Sequence, residues 1–171
     1  MRALVALGSN LGDRRASLEA GIAFLAELGQ VKASPLWTET PDESGKGPDY
    51  LNTVALLETP LEDPRALLEV LLRGELRLGR DRSRGRNAPR TLDLDLIQVE
   101  GLEGRWTWKA PEDLEVVGRE LDLELPHPRA LSRSFVVDPA RALGVVVQAA
   151  GTSGHRWAPP AGTTGTGRPR R

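Results

Sequence analysis

Residues 91–97 read TLDLDLI, a strict alternation of polar and apolar side chains. Period two is the pattern of a β-strand, with Leu92, Leu94 and Leu96 on one face for the core and Asp93 and Asp95 on the other. Side chains two apart on a strand point the same way, with Cα atoms roughly 6.5–7 Å apart. Aspartate is depleted in strands, and two like charges on one face repel. The pair makes sense if hard, oxygen-loving cations sit beside it. Mg²⁺ uses one or two carboxylates and completes its shell with substrate phosphates, and two-metal sites place their ions about 3.5–4 Å apart. The plainer alternative is the solvated outer face of an ordinary strand.

This strand closes a series of elements. Residues 3–7 are a short apolar run ended by Gly8-Ser9-Asn10, a buried first strand. Asp13 can cap a helix whose Leu18, Ile22, Leu25 and Leu28 recur at helical spacing before Gly29. Residues 31–40 suit a second strand, broken or bulged at Pro35. The Pro, Gly and Asp of 41–49 predict a loop, and 50–58 (YLNTVALLE) predict a third strand. Asp63-Pro64 is an N-cap followed by proline at the first helical position. Leu67, Leu68, Leu71, Leu72 and Leu76 then mark one face of a second helix that runs to Gly79. The order β-α-β-β-α-β predicts an α+β, ferredoxin-like fold, an antiparallel sheet with both helices on one face. Residues 98–124 read as an insertion with two tryptophans, 106 and 108, and suit an extra hairpin. Residues 126–150 add further C-terminal elements, ending in a short strand or helix. The domain is expected to span 1–150, with a Gly/Thr/Pro/Arg-rich tail at 151–171.

A chain of 171 residues with 39% hydrophobic and 27% charged residues suits one ordinary globular domain. No apolar run approaches the ~18 residues that span a bilayer. The start is too short for a signal-peptide core, and the chain has no cysteine for disulfides or thiolate chemistry. A cytoplasmic protein without a membrane partner is expected. The four arginines of the tail set aside, residues 1–150 hold 19 basic and 24 acidic groups, net −5. Against that acidic body, 77–90 (RLGRDRSRGRNAPR) carries six arginines and one aspartate. A local basic patch of this kind suits a small polyanion better than a long nucleic acid. Arg80, Arg82, Arg84, Arg86 and Arg90 run straight into the acidic strand. Guanidinium groups clamp phosphate oxygens bidentately, so arginines beside paired carboxylates are the two halves of a phosphoryl-transfer site.

Several stretches, in order, resemble the 6-hydroxymethyl-7,8-dihydropterin pyrophosphokinase family. They are ALGSNLGD (6–13), the TP of TETP (40–41), PDYLNTV (48–54), GELRLGRDR (74–82), APRTLDLDL (88–96), LPHPR (125–129) and RSFVVDP (133–139). The resemblance implies transfer of the β,γ-diphosphoryl group of ATP to the pterin's hydroxymethyl oxygen, leaving AMP. It implies two Mg²⁺ ions held by Asp93 and Asp95, and phosphate-facing Arg80, Arg82 and Arg90. Glu75, Leu96, His127 and Arg133 would be nucleotide contacts; Thr40, Pro41, Tyr50, Asn52 and Phe135 would form the pterin pocket. Small-molecule substrates and a monomer are expected. The chain departs from the family pattern at Asn87, where many members carry Trp, at Leu72, where a glutamine is frequent, and in a longer stretch between Leu96 and Leu125. Two other readings remain open from the residues alone. An RNA-binding module would need aromatic residues on the open sheet face, and one Tyr and two Phe supply few. A catalytically silent nucleotide-binding relative would be expected to have lost part of the acid pair, His127 or Arg133.

Overall fold

The computed structural model describes residues 1–45, 47–79, 91–114, 116 and 118–151. The elements in chain order are β1 (Arg2–Ser9), α1 (Arg14–Leu28), β2 (Gln30–Ala33), β3 (Thr38–Thr40), β4 (Tyr50–Glu58), α2 (Pro64–Arg77), β5 (Asp93–Val99), β6 (Gly104–Lys109), β7 (Glu120–Leu125) and α3 (Ser134–Ala142). The sheet order is β2-β4-β1-β5, with β3 also on β4 and every pair antiparallel. This is the ferredoxin-like arrangement.

The second expected strand is in fact two. Pro35 has no N–H to give a ladder, and β2 and β3 pair with opposite ends of β4 on either side of the break. Side chains tie the gap down: the Ser34 hydroxyl donates to the Pro139 carbonyl at 2.7 Å, and Thr53 to the Leu36 carbonyl at 3.0 Å. Both helices start as the sequence predicts. The Asp13 side chain accepts from the Ala16 N–H at 3.0 Å and Asp63 from the Arg65 N–H at 2.8 Å, satisfying donors the first turn leaves open.

The main core lies between the sheet and α1/α2. Ala3, Val5 and Leu7 of β1, Ala55 and Leu57 of β4 and Leu94 and Leu96 of β5 pack there with Leu18, Leu25, Leu67 and Leu71. The helices meet closely because α2 has a glycine at the crossing: a Cβ on Gly74 would lie 2.2 Å from Phe24 Cε1. The opposite face is covered at one end by α3, through Leu4, Ala6, Val54 and Ile97 with Val136 and Ala140. The leucines of α2 do not all face the main core. Leu72 and Leu76 turn to a third cluster, with Ala110, Leu114 and Leu121, supplied by the insertion.

That insertion is a hairpin, β6 on β7, forming its own two-stranded sheet. Its outer face is charged, with Arg105 pairing Asp122 at 2.7 Å. Its inner face carries Trp106 and Trp108 against the main core. The tail from 152 lies outside the described residues. No described helix is long and apolar enough to cross a membrane.

Candidate active site

The sheet's second face is only part-covered, and what α3 leaves open is a cavity of about 620 Å³. This is within the ordinary size of a ligand site. Register explains its floor. Asp93 pairs with Gly8 and Asp95 with Ala6, while Asn52 and Val54 on β4 pair with Gly8 and Ala6 from the other side. Gly8, Asn52, Asp93 and Asp95 therefore share one face across three strands. Asp93 and Asp95 are half-buried and line the cavity.

At one end the floor carries Tyr50 and Asn52, with Thr40, Pro41 and Phe135 around them. Asn52 is 5% exposed, and its amide nitrogen donates to Thr40 Oγ1 at 2.9 Å and towards the Thr38 carbonyl at 3.4 Å. Donation in that direction aims Oδ1 across Gly8, where a Cβ would lie 3.2 Å from Oδ1 and 3.5 Å from the Tyr50 ring. Gly8 reads in sequence as the opening of a turn, yet it lies inside β1 and makes room for both side chains.

Over the aspartates runs the segment after β7. The Leu125–Pro126 peptide is cis, and the His127 N–H donates to the Ile97 carbonyl at 2.7 Å, seating the segment on β5. His127 Nδ1 accepts from the Arg129 N–H at 3.2 Å, which leaves its ring proton on Nε2. Burial, with Arg133 and Arg129 nearby, holds the His127 pKa below its ordinary value. Arg133 reaches Asp95 at 3.6 Å with only 16% of its side chain exposed, and its guanidinium sits 5.6 Å from the Phe135 ring centre. Glu43, on the loop after β3, closes from above: it pairs with Arg129 at 2.7 Å and approaches Arg133 Nε at 4.0 Å. Asp42 shapes that loop by accepting from the Ser44 and Gly47 N–H groups.

At the far end, beyond the aspartates, Leu68, Leu72 and Glu75 of α2 form the wall. Glu75 is 1% exposed and accepts from the Leu94 N–H at 2.8 Å. That bond occupies an edge-strand donor that would otherwise be buried without a partner.

Of the residues expected to form the site, Thr40, Pro41, Tyr50, Asn52, Phe135, Glu75, Asp93, Asp95, His127 and Arg133 line this cavity. Leu96 does not: it lies in the main core, 3% exposed. Arg80, Arg82, Arg90 and Asn87 fall outside the described residues. Neither Trp106 nor Trp108 is among the residues that line the cavity. Glu43 lies in none of the matching stretches, and Arg129 closes LPHPR (125–129) without being singled out by it. Among the described residues, no three His, Cys, Asp or Glu side chains gather to hold a metal on their own. Two half-buried carboxylates on one face fit a Mg²⁺ whose remaining oxygens come from a polyphosphate.

Residues 4–144 match the family described as 7,8-dihydro-6-hydroxymethylpterin-pyrophosphokinase. Enzymes named 2-amino-4-hydroxy-6-hydroxymethyldihydropteridine pyrophosphokinase align over most of the chain. That of Mycobacterium tuberculosis is 36% identical, covering 86% of this chain and 74% of its own. That of Pseudomonas aeruginosa is 38% identical, covering 81% and 77%. The crystal structure of wild-type Plasmodium falciparum HPPK-DHPS superposes with a TM-score of 0.55 at 11% identity, over 80% of this chain and 38% of that longer one, a likeness of fold. With its family match over nearly the whole described domain and relatives above 30% identity, the chain belongs to the 7,8-dihydro-6-hydroxymethylpterin-pyrophosphokinase family.

Proposed function

We propose that this chain transfers the β,γ-pyrophosphoryl group of ATP to the hydroxymethyl oxygen of 6-hydroxymethyl-7,8-dihydropterin, giving AMP and the pterin diphosphate, in folate biosynthesis. The observation that carries the reading is one cavity with an aromatic and amide end, a carboxylate pair in the middle and an apolar wall beyond. A flat heterocycle, a polyphosphate and a nucleobase fit those three parts in that order.

At the first end, Asn52 Oδ1 accepts from the pterin's ring N–H and amino groups, its own nitrogen being held by Thr40. Phe135 and Tyr50 supply faces for the ring. The pterin is thereby held with its hydroxymethyl towards Asp93 and Asp95. In the transfer the hydroxymethyl oxygen forms a bond to Pβ and gives up its proton to solvent, the bond from Pβ to the oxygen bridging it to Pα breaks, and AMP leaves with that electron pair. Asp93 and Asp95 would hold two Mg²⁺, which would neutralise triphosphate charge and make the hydroxymethyl a better nucleophile. Arg133 is fixed by Asp95 and Phe135 with its guanidinium over the middle of the cavity, and His127 offers an Nε2–H donor. Both can meet phosphate oxygens as charge moves to the leaving AMP. Arg80, Arg82 and Arg90 would add phosphate contacts. The cavity is built by one chain, and a monomeric, cytoplasmic catalytic unit formed by 1–150 is the form proposed.

The test is AMP release from ATP and Mg²⁺ with and without the pterin. AMP formed only with the pterin, together with a pyrophosphorylated pterin, is the expected result. ADP as the product, or nucleotide turnover indifferent to the pterin, overturns the reading.

A further inference from the structure

Helix α2 serves two surfaces at once. Leu68, Leu72 and Glu75 face the cavity, and Leu72, one turn along from Leu68, also packs with Leu76 against the cluster of Ala110, Leu114 and Leu121. A polar chain reinforces that contact along the same stretch of helix. Trp108 Nε1–H donates to Glu69 Oε1 at 2.9 Å, Glu69 lies 3.5 Å from Arg73, and Arg73 meets Asp113 through two hydrogen bonds of 2.6 and 3.1 Å. The insertion therefore grips α2 at 69, 72, 73 and 76, beside the wall positions 68 and 75 and sharing Leu72 with them.

We propose that the β6–β7 hairpin and its connecting turn brace the nucleobase end of the cavity, with Leu114 and Trp108 as positioning residues that fix Leu72 against the base. This rests on the nucleotide reading of the Leu68–Leu72–Glu75 end. Close-packed interiors pass small displacements on rather than absorbing them, and a wall residue held only from behind moves when its support is cut away. Leu114 is 4% exposed within the cluster on which Leu72 packs, so its truncation opens a void in that support. The phosphate-facing groups, Asp93, Asp95 and Arg133, stand on β5 and at the start of α3, not on the helix that the hairpin grips.

The test separates base from phosphate. Calorimetry in Mg²⁺ measures binding of α,β-methylene-ATP and of inorganic tripolyphosphate to the full chain and to Leu114→Ala. The expected result is a five- to tenfold weaker Kd for the nucleotide with the tripolyphosphate Kd unchanged within twofold, and recovery in Leu114→Met. Equal loss for both probes, which general loosening would give, or no loss for either, overturns the proposal. Should Leu114→Ala fail to fold, Trp108→Phe removes the hydrogen bond to Glu69 and keeps the bulk. It is expected to show the same base-selective loss at two- to threefold, and unchanged selectivity refutes the bracing. If the wild-type chain binds the nucleotide no better than tripolyphosphate, the nucleotide reading of this end falls first, which is a separate failure.

Discussion

Asp95→Ala separates stability from chemistry, because the charge terms on Asp95 oppose each other in the fold and act together in the reaction. Asp93 and Asp95 point the same way two residues apart, and two charges about 7 Å apart repel by about 0.6 kcal/mol in water or about 2.4 kcal/mol near a protein surface. Removing Asp95 relieves that repulsion. It also takes the partner from Arg133, 3.6 Å away and mostly buried, at a cost of about 1–2 kcal/mol for the charge-assisted contact. The two nearly cancel, and stability is expected to change by less than about 1.5 kcal/mol, about 3–6 °C in Tm for a domain of this size. Catalysis has no such compensation. On the proposed reading, a metal facing the triphosphate would lose one of its two protein carboxylates without Asp95. A loss of about 4 kcal/mol of transition-state stabilisation is about a thousandfold in rate. The assay is AMP release with saturating pterin, beside urea and thermal denaturation of the same preparation. A variant within tenfold of wild-type activity in Mg²⁺ refutes the metal role. A variant that loses activity by unfolding, with Tm down by more than about 10 °C, refutes the charge balance.

The other expectations follow from single contacts. Gly8→Ala places a methyl 3.2 Å from Asn52 Oδ1 and 3.5 Å from the Tyr50 ring, so KM for the pterin should rise several-fold with KM for ATP unchanged; steady-state kinetics with each substrate varied will show it. Gly74→Ala gains about 1 kcal/mol of helix propensity but drives a methyl to 2.2 Å from Phe24 Cε1, and overpacking of about 1–3 kcal/mol wins; urea unfolding should show a net loss that Phe24→Leu restores. Glu43→Gln removes an exposed ion pair from Arg129, and because a polyphosphate must compete for that cation, nucleotide binding by calorimetry should tighten about twofold, the value of about 0.5 kcal/mol. His127 has its folded pKa held below the unfolded value of about 6.5. Its contribution to stability is therefore complete above that pH and is lost as pH falls through the folded value. Urea midpoints at pH 7.5 and 5.5 should differ less in His127→Gln than in wild type.

The parts of the fold legible in the sequence are those set by local periodicity. Leu18, Leu25, Leu67 and Leu71 declare helices through their spacing, Asp13 and Asp63 declare where those helices start, and TLDLDLI declares a strand with an acidic face. What the sequence does not show is which partner each face meets. Leu72 and Leu76 repeat at the same helical spacing as Leu67 and Leu71, yet they pack on a hairpin whose position depends on contacts about 40 residues away. Gly8 has the local context of a turn, and only its pairing with Asn52 and Asp93 places it in the site. Glu43 and Arg129 meet across 86 residues, and no spacing rule reaches that far. SFVVDP carries β-branched residues and a proline, which suit a strand or a helix equally, and its helical outcome follows from burying Val136 and Ala140 against the sheet's second face.

That second face also explains why an acid pair can stand in a strand at all. The alternation that sends Leu94 and Leu96 to the core would, if unbroken, send residue 98 there as well and leave 97 and 99 on the open face. The ladder instead shifts register between Leu4 and Val5, where Leu4 meets Gln98 and Val5 meets Leu96. The extra residue lets Val99 rejoin the main core while Ile97 packs beneath α3. A bulge of this kind re-aims side chains locally, and here it divides β5 into a buried half and a working half. α3 covers only the end of this face that carries Ile97, and Asp93 and Asp95 remain in the part left open. Their mutual repulsion is the cost of that placement. It is offset in part by Arg133, at the start of the helix that leaves them uncovered. A chain without the register shift would send Gln98 into the main core and turn Val99 out to the open face. The bulge therefore sorts the end of β5 and leaves the acid pair where the alternation puts it. Deletion of Ile97 restores the uninterrupted ladder with Asp93 still opposite Gly8 and Asp95 opposite Ala6, and removes a buried side chain from beneath α3. It should lower the urea midpoint while the protein that still folds by circular dichroism keeps pterin-dependent AMP release. A deletion that folds fully and has lost that activity would show that the acid pair depends on the bulge.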